Sequence, residues 1–221
     1  MKSAWLHQRR NRWLIIFCNG WGMDANPFLP LGARDYDVLM LFDYSDLTLD
    51  CDPAPLFRHY QRTFLVSWSM GVWVGQQIFR SWSYRLQGAM AINGSLCPIH
   101  DQFGIPEQLY AATLEQFSAA SRLKFYRRMC RGRQVFNTFL ENQPARSVEN
   151  QRLELEALHR QVSCQLAEEA IYTKVLIADQ DLVVPTANQI AFWQGHKSVR
   201  LEGSHFLFYR WNSWDELMDM F

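Results

Sequence analysis

The sequence predicts an α/β fold built on a doubly wound, mostly parallel sheet with helices on both faces. Six short apolar runs alternate with stretches of helical character, and several runs are apolar on both faces, as buried parallel strands are. The polar residues that could carry chemistry follow these runs, at the strand ends where α/β proteins hold their sites. The predicted strands are 13–18, 37–42, 62–67, 87–92, 172–178 and 197–201, and the clearest predicted helices are 70–81, 186–194 and 212–220.

The first strand, Trp13–Cys18, leads into the glycine-containing turn Asn19–Asp24. Such a turn can be a plain β-turn. It can also present backbone N–H groups to a developing oxyanion, together with the N–H of the residue that follows a nucleophile. We expect these two donors to be Trp21 and Met70, and the two interpretations of the turn are compatible.

The third strand ends in Ser67–Gly71 and is followed by Val72–Phe79, which continues sensibly only as a helix. This context is typical of a nucleophile elbow, in which small neighbours allow a sharp strand-to-helix turn that presents the central Ser69. Ser67 stands where a glycine usually opens the motif. The pentapeptide alone therefore also fits an ordinary strand–helix junction.

The fifth strand ends in two aspartates, after which Pro185 begins a helix. Asp181, four residues before that proline, is the better candidate for a catalytic acid, and Asp179 is the alternative. His205 follows the last short strand, with Gly203 two residues earlier. A single loop histidine is most often only solvated.

These candidates nevertheless occur in the order serine, acid, histidine that an elbow-type hydrolase requires. Together they predict a catalytic triad of Ser69, Asp181 and His205, which needs neither a metal nor an organic cofactor.

The motifs resemble those of the α/β-hydrolase superfamily. Within it, Asn19–Asp24, Ser67–Val72 and Ala91–Ser95 resemble the small bacterial pimeloyl-acyl-carrier-protein methyl ester esterases of the BioG type. The sequence departs from the wider superfamily at Asn19, where a histidine is usual, and at Ser67. Neither departure removes a catalytic group. The resemblance implies release of methanol to leave a free pimeloyl carboxylate on the carrier protein, a step in biotin biosynthesis.

The interval 98–168 has no convincing strand and is rich in helix formers, for example in Glu107–Leu114. It occupies the position where hydrolases of this class insert a helical lid. We therefore expect an α/β-hydrolase core formed by 1–97 and 169–221, with a small helical lid at 98–168. One helix of this interval could instead simply cross over the sheet.

Six cations and no acid occur within the stretch 121–133 of the predicted lid. Such a run is often only a solvated helix face. Residues three and four apart are neighbours on a helix, so several of these cations could also form one face that binds an acidic partner. For an esterase that resembles this family, that partner would be the acyl carrier protein. The candidate docking residues are Arg122, Lys124, Arg127, Arg128, Arg131 and Arg133.

Aromatic residues are abundant around the predicted site. They could form ordinary core or the apolar channel for an acyl chain. Trp21, Trp68 and Phe206 flank the candidate catalytic residues. The aromatic residues of the predicted lid are Phe103, Phe117, Phe125, Tyr126 and Phe136.

The overall composition limits the partners and the compartment. The chain has 221 residues and equal numbers of basic and acidic side chains, 22 of each, so no global field attracts nucleic acid or an anionic membrane. No apolar stretch reaches membrane-spanning length, and Met1–Arg12 lacks the features of a secretory signal. The five cysteines, at 18, 51, 97, 130 and 164, have no metal or redox spacing and are interpreted as reduced thiols. We expect a cytoplasmic monomer.

Two rival functions remain open at this point. A general carboxylesterase or thioesterase for small acyl substrates would use the same triad. A non-catalytic binding protein with a hydrolase fold would lack a triad member, and none is missing here. Acyl-chain length is not determined by the sequence.

Overall fold

The computed structural model describes residues 1–50 and 52–221, so Cys51 lies outside the described residues. Within them, seven strands form one sheet in the order β1-β3-β2-β4-β5-β6-β7. The strands are β1 (Lys2–His7), β2 (Trp13–Cys18), β3 (Tyr36–Phe42), β4 (Arg62–Trp68), β5 (Gly88–Ile92), β6 (Lys174–Ala178) and β7 (Ser198–Leu201).

All six predicted strands are present, and each neighbouring pair from β3 to β7 is parallel. The parallel strands β2, β4 and β5 are buried along almost their whole length, which is why they are apolar on both faces. Strand β1 was not predicted. It pairs with β3 alone, antiparallel, at the edge of the sheet, and its half-buried, partly polar sequence carries no apolar run.

The helices connect and cover the strands. In the described residues they are α1 (Ala54–His59), α2 (Met70–Phe79), α3 (Glu107–Glu115), α4 (Ala119–Met129), α5 (Arg133–Glu141), α6 (Val148–Gln161), α7 (Thr186–Phe192) and α8 (Trp214–Met218). The three clearest predicted helices correspond to α2, α7 and α8, each slightly shorter than expected. None of the helices in these residues is both long enough and apolar enough to cross a bilayer.

Residues 98–168, called here the helical segment, contain α3–α6. As expected, the segment contributes no strand to the sheet. Its one isolated β-bridge among the described residues joins Ile99 to Ile105, both within the segment. Helix α4 starts at Ser118, whose side chain accepts a hydrogen bond from the backbone N–H of Ser121 in a capping box. The separation of the segment from the core as a lid remains a prediction.

Many of the aromatic residues form the core beneath the sheet. Phe28 and Phe208 meet edge to face at 4.9 Å between ring centroids, and Phe206 packs against Trp68 at 5.5 Å. Phe206 therefore belongs to the core and not to an acyl channel. Edge-to-face contacts of this kind add to the free energy gained from apolar burial.

The interpretation of the cysteines as reduced thiols is wrong for one pair. Cys97 and Cys164 form a disulfide across 67 residues of sequence, which joins the two ends of the helical segment. The spacing gave no sign of this pair because the bridge depends on how the segment folds back. Cys18 and Cys130 are free and buried. Disulfides persist mainly in oxidising compartments, so this pair does not support the cytoplasmic location that we expected.

A close backbone approach fixes the junction between β4 and α2. A Cβ atom on Gly71 would overlap the carbonyl oxygens of Cys18 and Asn19 at the end of β2. A Cβ atom on Gly94 would likewise overlap the carbonyl oxygen of Ser69. Glycine at these two positions allows the turn after β4 to lie between the ends of β2 and β5.

We expect Gly71→Ala to lower the free energy of unfolding by about 2 kcal/mol or more, because the methyl group meets two backbone carbonyls that cannot move aside. The gain of about 1 kcal/mol from better helix propensity does not offset this. Chemical denaturation measures the difference. Gly32→Ala is the control, since a Cβ there would lie 3.7 Å from its nearest neighbour, the Asn212 carbonyl oxygen. Equal stability of the two variants would contradict the prediction.

Candidate active site

Ser69 lies at the turn between β4 and α2, as the elbow motif predicted. Its backbone angles are φ 58° and ψ −125°, which a residue other than glycine adopts only where the surroundings impose them. Its N–H donates to the carbonyl oxygen of Ile92 at the end of β5, at 2.9 Å. Ser67 replaces the usual glycine without a clash because the residue that faces it is Gly75. A Cβ atom on Gly75 would lie 2.5 Å from the Ser67 Oγ.

The three candidate catalytic side chains form one hydrogen-bonded chain. The Nε2 atom of His205 lies 2.9 Å from the Oγ of Ser69, and its Nδ1 lies 2.7 Å from the Oδ2 of Asp181. With the proton on Nδ1, the imidazole donates to Asp181 and leaves Nε2 to accept the serine proton. All three residues are buried. This arrangement can generate a nucleophilic serine.

The two candidate acids have different environments. The Oδ1 of Asp181 accepts hydrogen bonds from the N–H groups of Val183 and Val184, and its Oδ2 also accepts one from Gln189. These donors hold the carboxylate in place against His205. Asp179 instead accepts a bond from the N–H of Gly203 and so supports the loop that carries His205. The structure thus brings Asp181 to the histidine, and Asp179 to the loop.

The loop of His205 has two further anchors that the sequence did not reveal. Its carbonyl oxygen accepts hydrogen bonds from the indole Nε1 of Trp68 and the Nδ2 of Asn93, both at 2.9 Å. The Oδ1 of Asn93 accepts one from the N–H of Ala178 at the end of β6. Asn93 has φ 48°, a left-handed conformation that asparagine tolerates better than most residues. An asparagine directly after a buried strand was the only available signal.

The two expected oxyanion donors lie beside the serine. Trp21 and Met70 both line the cavity that contains Ser69 and His205. The turn that contains Trp21 packs closely against the elbow. A Cβ atom on Gly20, in this turn, would lie only 2.8 Å from the Trp68 ring. The assignment of their N–H groups as oxyanion donors remains a prediction.

The cavity over Ser69 is lined mainly by apolar side chains. The sheet side contributes Trp21 and Trp68, and the helical segment contributes a roof. The roof residues include Ile105, Leu109, Phe125, Met129 and Leu155. Of the aromatic residues predicted to form an acyl channel, Trp21, Trp68 and Phe125 thus line the cavity. Phe117 lies behind it, packed against Trp21 at 5.1 Å.

The six cations of the predicted docking surface do not share one helix face. Helix α4 ends at Met129, and Gly132 turns the chain with φ 99°, so Arg131 and Arg133 lie beyond that helix. Lys124 and Arg127 are exposed on α4.

The other two docking candidates turn inward. Arg122 is half-buried and donates to the carbonyl oxygen of Arg146 and, at 3.4 Å, to the Oε1 of Gln151. Arg128 is half-buried at the cavity, and its burial lowers the pKa of its guanidinium, an effect opposed by the charge of Asp181. Its Nε has no hydrogen-bond partner among the described residues. The single basic face was therefore only partly right, because periodicity does not show where a helix ends.

Within residues 1–50 and 52–221, no three His, Cys, Asp or Glu side chains lie together in a way that could hold a metal ion.

Comparisons with known proteins identify the family of this chain. A model of the family described as pimeloyl-ACP methyl esterase BioG matches residues 1–217. The chain belongs to the BioG family. The resemblance to BioG-type esterases and the α/β-hydrolase fold are thereby confirmed.

Individual relatives of this BioG-family chain differ in length. A crystal structure of BioG from Haemophilus influenzae is 31% identical, with a TM-score of 0.88 over 98% of this chain and 99% of that one. A malonyl-[acyl-carrier protein] O-methyltransferase of Bacteroides fragilis is 35% identical over 87% of this chain, but the chain spans only 39% of that protein. An enol-lactonase from Burkholderia xenovorans, 16% identical with a TM-score of 0.63 over 92% of this chain and 88% of that one, shares the fold.

We expect Ser69→Ala to abolish ester turnover while the fold survives, and His205→Ala to be as severe, because members of a triad act as a unit and their losses do not add. Circular dichroism and ester hydrolysis measure the two properties. Ser67→Ala is the control, and a covalent serine reagent should label only Ser69. Loss of activity in Ser67→Ala, with no loss in Ser69→Ala, would show that Ser67 is the nucleophile.

We expect Asp181→Asn to lower kcat by roughly four orders of magnitude, as loss of the correct imidazole tautomer does in serine proteases. Asp179→Asn should be much milder, since Asp179 supports only the loop backbone. Steady-state kinetics on one soluble ester compares the two. The reverse ranking would transfer the role of catalytic acid to Asp179.

Proposed function

We propose that this chain is a serine esterase that hydrolyses the methyl ester of pimeloyl-acyl-carrier protein. The observation that carries the proposal is the continuous Ser69–His205–Asp181 hydrogen-bonded chain beneath an apolar cavity, in a protein of the BioG family. Residues Ser69, His205 and Asp181 would be the catalytic residues, and the N–H groups of Trp21 and Met70 would bind the oxyanion.

The first half of the reaction forms an acyl-enzyme. The Oγ of Ser69 attacks the ester carbonyl carbon while the Nε2 of His205 takes its proton, and Asp181 stabilises the imidazolium. The carbonyl oxygen becomes an oxyanion that backbone N–H groups bind most strongly in the transition state. Collapse of this intermediate breaks the bond to the methoxy oxygen, which takes the proton from His205 and leaves as methanol.

The second half repeats these steps with water. His205 takes a proton from a water molecule, whose oxygen attacks the acyl carbon, and the Ser69 oxygen leaves with that proton. The product is a free carboxylate on the acyl chain. No step requires a group beyond the residues named and water.

The shape of the cavity supports a substrate with a long apolar chain. A second, more open cavity adjoins the first, and Thr113, Phe125 and Arg128 line both. Lys124 lies on the outer one. A chain whose methyl ester reaches Ser69 could therefore leave past Arg128 towards the surface of α4. In this arrangement the helical segment acts as a lid, with the carrier protein outside it.

The charge at the exit supports an acidic partner. Lys124 is exposed on the outer cavity, Arg128 lies just inside it, and Arg127 is exposed elsewhere on the same helix. Acyl carrier protein is the acidic partner that the BioG family name implies. The matched Bacteroides fragilis protein bears the name of a methyltransferase that acts on an acyl-carrier-protein acid. Formation and removal of a methyl ester on one carrier are consecutive chemical tasks. We keep the expectation of a monomer without nucleic-acid or membrane partners. We also keep the expectation of a cytoplasmic location, against which the Cys97–Cys164 disulfide stands.

The direct test is mass spectrometry of pimeloyl-acyl-carrier-protein methyl ester before and after incubation with the purified chain. Loss of one methyl group, with the thioester intact, supports the proposal. The same protein is assayed on a short p-nitrophenyl ester. Equal or greater efficiency on the short ester would favour a general carboxylesterase, and release of the carrier thiol would favour a thioesterase.

Reversal of the exposed charges tests carrier docking. We expect Lys124→Glu with Arg127→Glu to raise KM for the carrier-bound ester roughly tenfold, because rim charges act mainly on encounter. A small soluble ester should be hydrolysed nearly as before. Kinetics on both substrates at low and high salt measure this, and the wild-type preference should weaken as salt screens the field beyond about 8–10 Å. Arg128 is left unchanged because it lines the cavity.

The matched control is the double reversal of Arg10 and Arg58, which are exposed near the starts of β2 and β4, at the opposite end of the strands from Ser69. This control should leave both substrates unaffected. Equal loss on both substrates in the Lys124 and Arg127 variant would indicate structural damage to the segment. No loss on either would show that these cations are merely solvated.

A further inference from the structure

We propose that Glu154 and Gln151, on helix α6 of the helical segment, are positioning residues that hold the Trp21 ring and the Gly22 backbone so that the Trp21 N–H faces the oxyanion. The proposal rests on the proposed ester hydrolysis at Ser69. It adds that the helical segment takes part in building the catalytic machinery.

Helix α6 binds both sides of Trp21. The indole Nε1 of Trp21 donates to the carbonyl oxygen of Gln151 at 2.7 Å. The Nε2 of Gln151 donates back to the carbonyl oxygen of Gly22, also at 2.7 Å. The N–H of Gly22 donates to the Oε2 of Glu154 at 3.0 Å. Three hydrogen bonds to two residues thus fix the Trp21 ring and both the N–H and the carbonyl group of Gly22.

The carboxylate of Glu154 is fully buried and also holds a second part of the same turn. Its Oε1 accepts from the N–H of Tyr44 at 2.8 Å, and the hydroxyl of Tyr44 donates to the carbonyl oxygen of Asn19 at 2.8 Å. Glu154 therefore connects to both ends of the stretch Asn19–Gly22, directly at one end and through Tyr44 at the other.

A buried cation pairs with this carboxylate. The Nη1 of Arg146 lies 2.6 Å from the Oε2 of Glu154 and also donates to the carbonyl oxygen of Met23 at 3.2 Å. Burial raises the pKa of Glu154 above its ordinary value, and Arg146 and the two backbone donors offset only part of that rise. A buried charge is costly unless it is paired and hydrogen-bonded, and here every partner but Arg146 is backbone near the oxyanion turn.

The two expected oxyanion donors have different supports. The Met70 N–H belongs to the first turn of α2 and is fixed by the helix itself. Trp21 belongs to a stretch without regular structure, where Gly22 has φ 76°, so its orientation depends on outside contacts. An oxyanion donor works only within about 2.7–3.1 Å of the developing charge. Rigid support of Trp21 should therefore strengthen binding of the transition state more than binding of the substrate.

The decisive variant is Glu154→Gln. A carboxamide has nearly the same shape, but only one of its two terminal atoms accepts a hydrogen bond, so either Gly22 or Tyr44 loses its acceptor. We expect kcat to fall roughly ten- to a hundredfold, which is less than the fall expected when an oxyanion donor is removed altogether. KM should change less than twofold. The inhibition constant of a transition-state mimic, such as an alkyl trifluoromethyl ketone, should rise by the same factor as kcat falls.

Two further variants make the test specific. Gln151→Leu removes the bond to Gly22 but keeps the backbone acceptor of the Trp21 indole, so it should give a smaller loss of the same kind. Glu156→Gln is the matched control: it removes a carboxylate from the same helix, but one whose ion pairs within the described residues are with Arg152 and Arg160 alone, away from Trp21. Its kcat should equal that of the wild type.

All variants are assayed on a soluble p-nitrophenyl ester, with active sites counted by burst titration. A wild-type kcat per titrated site in Glu154→Gln, or an unchanged inhibition constant for the mimic, would overturn the proposal. If Glu154→Gln does not fold, Gln151→Leu decides by the same criteria. Failure of the proposed function is a separate result, because it would appear as inactivity of the wild type on the carrier-bound ester.

Discussion

The site depends on one steric constraint, the close backbone approach at the turn after β4. Gly71 lies directly under the last carbonyl groups of β2, and Gly94 lies against the carbonyl of Ser69. With its N–H bound to Ile92, Ser69 is held in a conformation that an unconstrained serine avoids. Since parallel strands end at one edge of the sheet, this turn brings the serine within reach of the loops that carry the acid and the histidine.

Hydrogen bonds hold His205 at its backbone carbonyl as well as at its ring. Trp68, next to the nucleophile, and Asn93, at the end of β5, both donate to the His205 carbonyl. Asp181 receives three donors besides the imidazole. Buried polar networks stabilise a structure only when their members are satisfied, and they then favour a single arrangement. The same bonds that orient the triad therefore also join the ends of β4, β5 and β6.

The helical segment takes part in the site at three levels. It roofs the apolar cavity, it carries the exposed cations Lys124 and Arg127, and its helix α6 binds the turn of Trp21 through Gln151 and Glu154. Its two ends are joined by the disulfide between Cys97 and Cys164. The segment thus carries both the cations proposed to bind the carrier protein, on α4, and the residues proposed to position Trp21, on α6.

The sequence by itself determined the six parallel strands and the chain order of Ser69, Asp181 and His205, because buried strands and elbow turns need particular residues at short spacing. It indicated neither the edge strand β1 nor the inward turn of Arg128, since both depend on what lies opposite. The supporting roles of Asn93 and Glu154 were also decided only by the tertiary structure. The backbone groups that they bind are more than 80 residues away in the chain, and a hydrogen bond across that separation leaves no periodic pattern.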